Sequence, residues 1–272
     1  MQLPETVFAL LVGLVQGILE WLPVSSEGGV ALVAAASGAN AAVATRLGLF
    51  LHAGTGLAAL VYYRADVAAL LDAMPSWRPR EAFGPDHADL TFYAVATGVS
   101  AVVGGGIYLA LAEAASALAG GGFVAAIGLL LVGTGVVQRT ADRREFGGRT
   151  TPDAVDAVLV GTMQGLALLP GVSRSGTTVS ALLLRGHEGD RAIGLSFLLS
   201  IPASFGAGVL VLVDEGVPAI SPITAVVALA TSAVVGYLTV AALTRLVSRV
   251  AFWGVCVGFG ALAIVGGGVL LL

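Results

Sequence analysis

The sequence contains no lysine; all thirteen basic residues are arginine. Charge of either sign is scarce: 11% of the 272 residues are Asp, Glu, Lys or Arg, against about a quarter in an average soluble domain. With 57% hydrophobic residues and a mean hydropathy of +0.95, the chain belongs in a bilayer, and an ordinary soluble enzyme is excluded. A single cysteine, Cys256, lies in an apolar stretch, so neither a disulfide framework nor a thiolate metal cluster is available. The N-terminus lacks the basic region and cleavage site of a signal peptide, so its first helix is expected to be retained. The net charge of −4 singles out no class of partner, and no nucleic acid is expected.

What is abundant is apolar sequence and glycine. Six charge-poor stretches, Leu47–Tyr63, Leu90–Ala112, Phe123–Val137, Ala192–Val213, Ser221–Leu243 and Ala251–Leu272, approach the ~20 residues that cross hydrocarbon as a helix. The 38 glycines read first as packing surfaces, since small residues let membrane helices approach closely. Two further helices, to about Leu22 and from Pro152 to Leu169, each run into a polar, glycine-bearing loop. Each loop is followed by a helix too short to span. Such helix-loop-helix pairs are expected to be re-entrant, because non-helical backbone at membrane depth needs protein or a wet cavity around it.

The two loops repeat. A shift of 148 positions places Gln16-Gly17 on Gln164-Gly165, Val24-Ser25 on Val172-Ser173 and Gly28 on Gly176. The fold class that follows is an all-α membrane protein of six spanning helices and two re-entrant pairs. It forms one membrane domain of two repeats, 1–138 and 152–272, joined by a charged link at 139–151. Three spans per half is odd, so the repeats are expected to be inverted, with the site where they meet. Loops 64–89, 139–151, 185–191 and 245–249 hold eleven of the thirteen arginines and are expected to be cytoplasmic. His87 and His187, in charged loops, are expected to be solvated.

The strongest single signal is Arg174, in Pro170-Gly-Val-Ser-Arg-Ser-Gly-Thr-Thr178. An arginine at membrane depth costs from ~2.5 kcal/mol upward, and its five-donor fork suits a phosphate. Gly171 and Gly176 bring backbone N–H groups close to a ligand, and a helix starting near Ser175 adds its positive end. Ser173, Ser175, Thr177 and Thr178 add hydroxyls. The alternative role for Arg174, pairing with Glu20 to hold the halves together, is compatible with anion binding. Gln16 and Glu20, four apart and so on one helix face, are the complementary half. Glu20 suits a divalent cation or acid–base work, and Gln16 suits a metal or a water. Ser25 and Ser26 are candidate nucleophiles or helix caps. Glu27 faces the cavity or caps the same helix, and His52 is a candidate base. A nucleotide-binding P-loop is rejected, because Thr177 stands where the lysine belongs. A Gly-x-Ser-x-Gly elbow fails because Ser175 takes the second glycine's place.

These residues resemble the bacitracin-resistance type of undecaprenyl-pyrophosphate phosphatase. That family carries a Glu/Gln-x-x-x-Glu motif leading into Pro-Val-Ser-Ser-x-Gly, here Gln16, Glu20 and Pro23 to Gly28. Its second motif, Pro-Gly-x-Ser-Arg-Ser-x-x-Thr, is here Pro170 to Thr178. The resemblance implies ten helical segments in an inverted repeat. It also implies removal of one phosphate from a polyprenyl diphosphate, recycling a lipid carrier at the outer face of the plasma membrane. A divalent cation (Mg²⁺ or Ca²⁺) would sit near Glu20 and Gln16, with no organic cofactor. By position Ser26 matches the nucleophile and Arg174 the diphosphate-binding arginine, while Ser173 and Thr178 line the pocket. The family usually has histidine directly after the first motif, whereas this chain has Gly29; His52, Glu20, Glu27 or metal-activated water would then take that role. Partners are the lipid and the bilayer, with a second copy of the chain as a candidate. A secondary transporter or flippase using the same inverted-repeat cavity is the competing reading.

Overall fold

A computed structural model describes residues 4–22, 24–37, 41–117, 121–142, 148–169, 171–214, 220–246 and 252–269. Pro23 and Pro170, the prolines expected to break the two loop-bearing helices, lie outside the described residues, as does 143–147 of the charged link. All named elements are helical: α1 (Glu5–Leu19), α2 (Ser26–Ala36), α3 (Ala41–Tyr62), α4 (Arg64–Ala73), α5 (Ala88–Ala117), α6 (Gly121–Asp142), α7 (Ala154–Leu166), α8 (Arg174–Leu184), α9 (Gly189–Asp214), α10 (Pro222–Leu246) and α11 (Phe252–Val269). Among the described residues there is no strand, only an isolated bridge between Arg149 and His187. Among the described residues three helices are long and apolar enough to cross a membrane, over Ala88–Ala110, Gly189–Val213 and Pro222–Leu243. Helices α2 and α8 are 11 residues each, about 16 Å at ~1.5 Å per residue and short of the ~30 Å hydrocarbon core.

The chain divides into two compact units, Met1–Tyr63 with Ser200–Val250, and Arg64–Leu199 with Ala251–Leu272. In the first unit α1 packs on α10, and α3 packs on α10 and α2. Its core includes Ala9, Val12, Val30, Leu47, Leu51 and Ala228. In the second unit α7 packs on α5 and α8, and α6 on α11. Phe92, Ala96, Ala157, Val160, Leu182 and Leu195 fill its core.

Helices α1 and α7 bury the same face. The buried residues of α1 are Ala9, Val12, Gly13, Gln16 and Gly17. Those of α7 are Ala157, Val160, Gly161, Gln164 and Gly165, the same residue types 148 positions on, with Asp156 added. Small residues are needed there for one reason, which is backbone contact. A Cβ at Gly17 would stand 2.8 Å from the Gly236 nitrogen on α10, and one at Gly165 would stand 2.9 Å from the Gly104 nitrogen on α5. Both arms thus press their Gly-x-x-x-Gly edge into the backbone of a span from the other half of the sequence.

The base of the α7–α8 hairpin is tied by charge. Asp153 caps α7 in a reciprocal capping box with Asp156. The buried Asp156 carboxylate accepts from Arg185 Nε (2.7 Å), Arg149 (3.0 Å) and His187 Nε2 (2.9 Å). The network joins the residues before α7 to the turn after α8, where Gly186 takes a φ of 84°. His187 is therefore fully buried rather than solvated, and His87, 8% exposed, sits 3.1 Å from Ser76. Both histidines correct the sequence expectation: an acidic or hydroxyl partner removes the cost of burying the ring. The 64–89 segment, expected as a loop, folds in part into α4, and Trp77 Nε1 donates to Thr91 at 2.9 Å.

Candidate active site

In the first unit, α1 ends at Leu19 and presents Glu20 as its C-terminal cap. Here the chain turns, and α2 starts at Ser26. Ser25 stands at the cap position and accepts from the Gly28 nitrogen at 3.3 Å. These two ends bring five polar side chains into one buried cluster with a sixth, His52, from α3. Glu20 Oε2 accepts from Gln16 Nε2 at 2.8 Å and from Ser26 Oγ at 3.0 Å, and lies 3.3 Å from His52 Nε2. Glu27 accepts from Ser25 Oγ at 3.0 Å through Oε2, while its Oε1 lies 3.3 Å from the same His52 nitrogen. Each serine hydroxyl is therefore bonded to a carboxylate able to take its proton. Gln16 is fully buried, and its Oε1 finds no partner among the described residues.

In the second unit residues 171–173 lead into α8. Gly171 has a φ of 96°, a region that favours glycine. Ser173 caps α8, its Oγ accepting from the Gly176 nitrogen at 3.1 Å. Arg174, half-buried, is the first residue of α8, so its guanidinium leaves from the positive end of that helix. Gly176 has no room for a side chain, since a Cβ would lie 2.4 Å from Gln138 Nε2 and 3.0 Å from Ser173 Oγ.

The hydroxyls around Arg174 have partners within the unit. Thr177 Oγ1 donates to the Ser173 carbonyl at 2.9 Å, and Thr178 Oγ1 to the Arg174 carbonyl at 2.7 Å. Ser196 of α9 lies 2.6 Å from the Thr178 hydroxyl, and Ser173 and Ser175 hydroxyls are 3.4 Å apart. Thr177 and Thr178 thus brace the first turn of α8. Sequence reasoning had not singled out Ser196, Gln138 or Gln164. Gln164 carried a signal, its place 148 positions after Gln16; it donates to the Ser100 hydroxyl at 3.3 Å and is buried like its counterpart.

The shared cap geometry of the two loops, serine bonding the nitrogen three residues on, sits at the two motifs that carried the sequence resemblance. A family model described as "Bacitracin resistance protein BacA" matches residues 9–265. The chain belongs to the BacA family. Similar BacA-family relatives are named undecaprenyl-diphosphatase. One from Haloarcula marismortui is 58% identical over 260 residues, covering 95% of this chain and 96% of the relative. One from Methanococcoides burtonii is 36% identical, covering 94% and 96%. One from Geobacter sulfurreducens is 39% identical, covering 90% and 91%. The Haloarcula relative matches nearly the whole length of this chain, so the resemblance reaches well beyond the two loops.

Proposed function

We propose that the chain hydrolyses the terminal phosphate of an undecaprenyl-type polyprenyl diphosphate, releasing inorganic phosphate and the lipid monophosphate. The observation that carries this reading is the convergence of Ser26, Gln16 and His52 on one oxygen of Glu20. Glu20 is bonded to the Ser26 hydroxyl and is the group to take its proton. Ser26 Oγ then bonds to the terminal phosphorus, and the bond from that phosphorus to the bridging oxygen breaks, freeing the lipid monophosphate. Glu20 passes that proton to the departing monophosphate and then takes one from water, whose oxygen bonds to the phosphorus as the bond from phosphorus to Ser26 Oγ breaks; the proton returns to Ser26 and inorganic phosphate leaves. Arg174 and the N-terminus of α8 offset charge on the phosphoryl oxygens. BacA-family membership favours this hydrolysis over the transporter reading.

The donor chemistry fits a hard divalent cation. Gln16 Oε1 and Glu20 offer oxygen, and the Gln16 atom is buried without a partner. Among the described residues no group of three or more His, Cys, Asp or Glu side chains is arranged to hold a metal. Mg²⁺ or Ca²⁺ held by Gln16 and Glu20 would supply charge neutralisation at the diphosphate.

The reading includes an inverted repeat of six spans and two re-entrant pairs within a plasma-membrane protein, with the site open outward. The equal buried faces of α1 and α7, the 11-residue α2 and α8, and the arginine-rich loops support it. The test is purified protein in detergent with a polyprenyl diphosphate and Mg²⁺ or Ca²⁺. Phosphate release that EDTA abolishes is expected. No release above a protein-free blank, with lipid flux in liposomes, would replace hydrolysis by transport.

A further inference from the structure

The chain has three histidines, His52, His87 and His187. Two of them are committed in the second unit, His87 beside Ser76 and His187 on Asp156. His52 is the imidazole of the acidic cluster, and its ring is held at both ends. The Gly48 carbonyl lies 2.8 Å from Nδ1, so Nδ1 carries a hydrogen and donates it. Nε2 is therefore the atom turned towards Glu20 and Glu27, 3.3 Å from an oxygen of each.

Of these two carboxylates only Glu20 is also bonded to Ser26 and Gln16. Glu27 does something different. Its far oxygen is fixed by Ser25 at 3.0 Å, and its stem lies on α3 where Gly48 leaves space. A Cβ at position 48 would meet Glu27 Cα at 3.7 Å and its Cβ and Cγ at 3.9 Å. Position 29 of α2 faces another way: a Cβ at Gly29 would point onto α1, 2.4 Å from Leu19 Cδ1 and 2.9 Å from Val15 Cγ1.

We propose that Glu27 is a positioning residue of this site: acting through His52, it orients the imidazole towards Glu20 and Ser26. This rests on the phosphatase reading above. As in metal and triad histidines, the ring is oriented by partners at both nitrogens: the Gly48 carbonyl holds Nδ1, and Glu27 shares Nε2 with Glu20. Ser25, by anchoring the carboxylate from its other side, belongs to the same chain of contacts.

The test is steady-state phosphate release by Glu27→Gln, by His52→Gln and by the double variant, with ¹⁵N-histidine spectra of each. Glu27→Gln is expected to lower kcat about 10- to 100-fold with KM little changed, to move the His52 ring resonances, and to be nearly silent in the His52→Gln background. Glu27→Asp is expected to recover part of the loss. Equal losses in both backgrounds, or unmoved ring resonances, would reduce Glu27 to a strut between α2 and α3 and overturn the proposal. Ser25→Ala, read the same way, serves if Glu27→Gln does not fold; it too must couple to His52. A wild-type protein that releases no phosphate sinks the phosphatase reading itself, whereas a Glu27→Gln protein with wild-type kcat sinks only this inference.

Discussion

The two loops share a scaffold and differ in charge. At each, a buried Gln and Gly close the arm helix, a serine caps an 11-residue helix, and a glycine follows three residues after the cap. Under the 148-residue shift Ser26 falls on Arg174, Glu20 on Leu168 and Glu27 on Ser175. The matched positions are those that packing and capping occupy. The positions free of those duties differ, one loop being acidic with an imidazole beside it and the other basic at a helix N-terminus. A diphosphate needs both kinds of group, a base for the nucleophile and cationic charge for the phosphoryl oxygens.

Replacing the acid should do most damage. Glu20→Gln removes the proton acceptor bonded to Ser26 and is expected to lower kcat about 10²- to 10⁴-fold, read as phosphate release. If Leu168→Ala, at the equivalent position, costs as much, the division of labour is wrong. Arg174→Lys keeps the charge but loses the planar fork, and a drop of about 10²- to 10³-fold in kcat/KM is expected. Near-wild-type activity would make the arginine a point charge only.

Two further variants address the frame. Asp156→Ala takes the carboxylate from the buried His187 and leaves Arg149 and Arg185 with Asp153 alone, and should cost about 3–5 kcal/mol of stability, read by thermal melting in detergent. The first loop has Phe8 at the equivalent position and no such network, so Phe8→Ala should behave as an ordinary apolar truncation. Gly165→Val overpacks the α7–α5 contact, and about 1–3 kcal/mol of destabilisation is expected. Gly17→Val should match it, since both glycines meet a backbone nitrogen at nearly the same distance. A large difference between the two would weaken the repeat.

Much of this was legible in the sequence because it depended on spacing. The 148-residue shift matched Gln16 with Gln164, and both are buried. Glu20 and Gln16, four apart, do bond. Contacts between distant elements were not legible. Nothing in the spacing of Glu27 and His52 says that α2 packs on α3 so that the two side chains meet. The threonines after Arg174 read as ligand donors, yet a helix's first turn offers carbonyls that such hydroxyls readily bond. His187 read as solvated because its neighbours in sequence are charged, and its partner Asp156 stands 31 residues earlier.

The exchange of arms between halves also has a bearing on biosynthesis. When α7 emerges from the ribosome its seat on α5 already exists, so the second arm can dock at once. The seat of α1 is α10, which starts at Pro222, and most of the chain must be made before the N-terminal arm finds its place. The nascent protein therefore carries its first helix, with Glu20 near its end, against α2 and α3 alone through most of translation, and a truncation before α10 would leave one face of that helix uncovered.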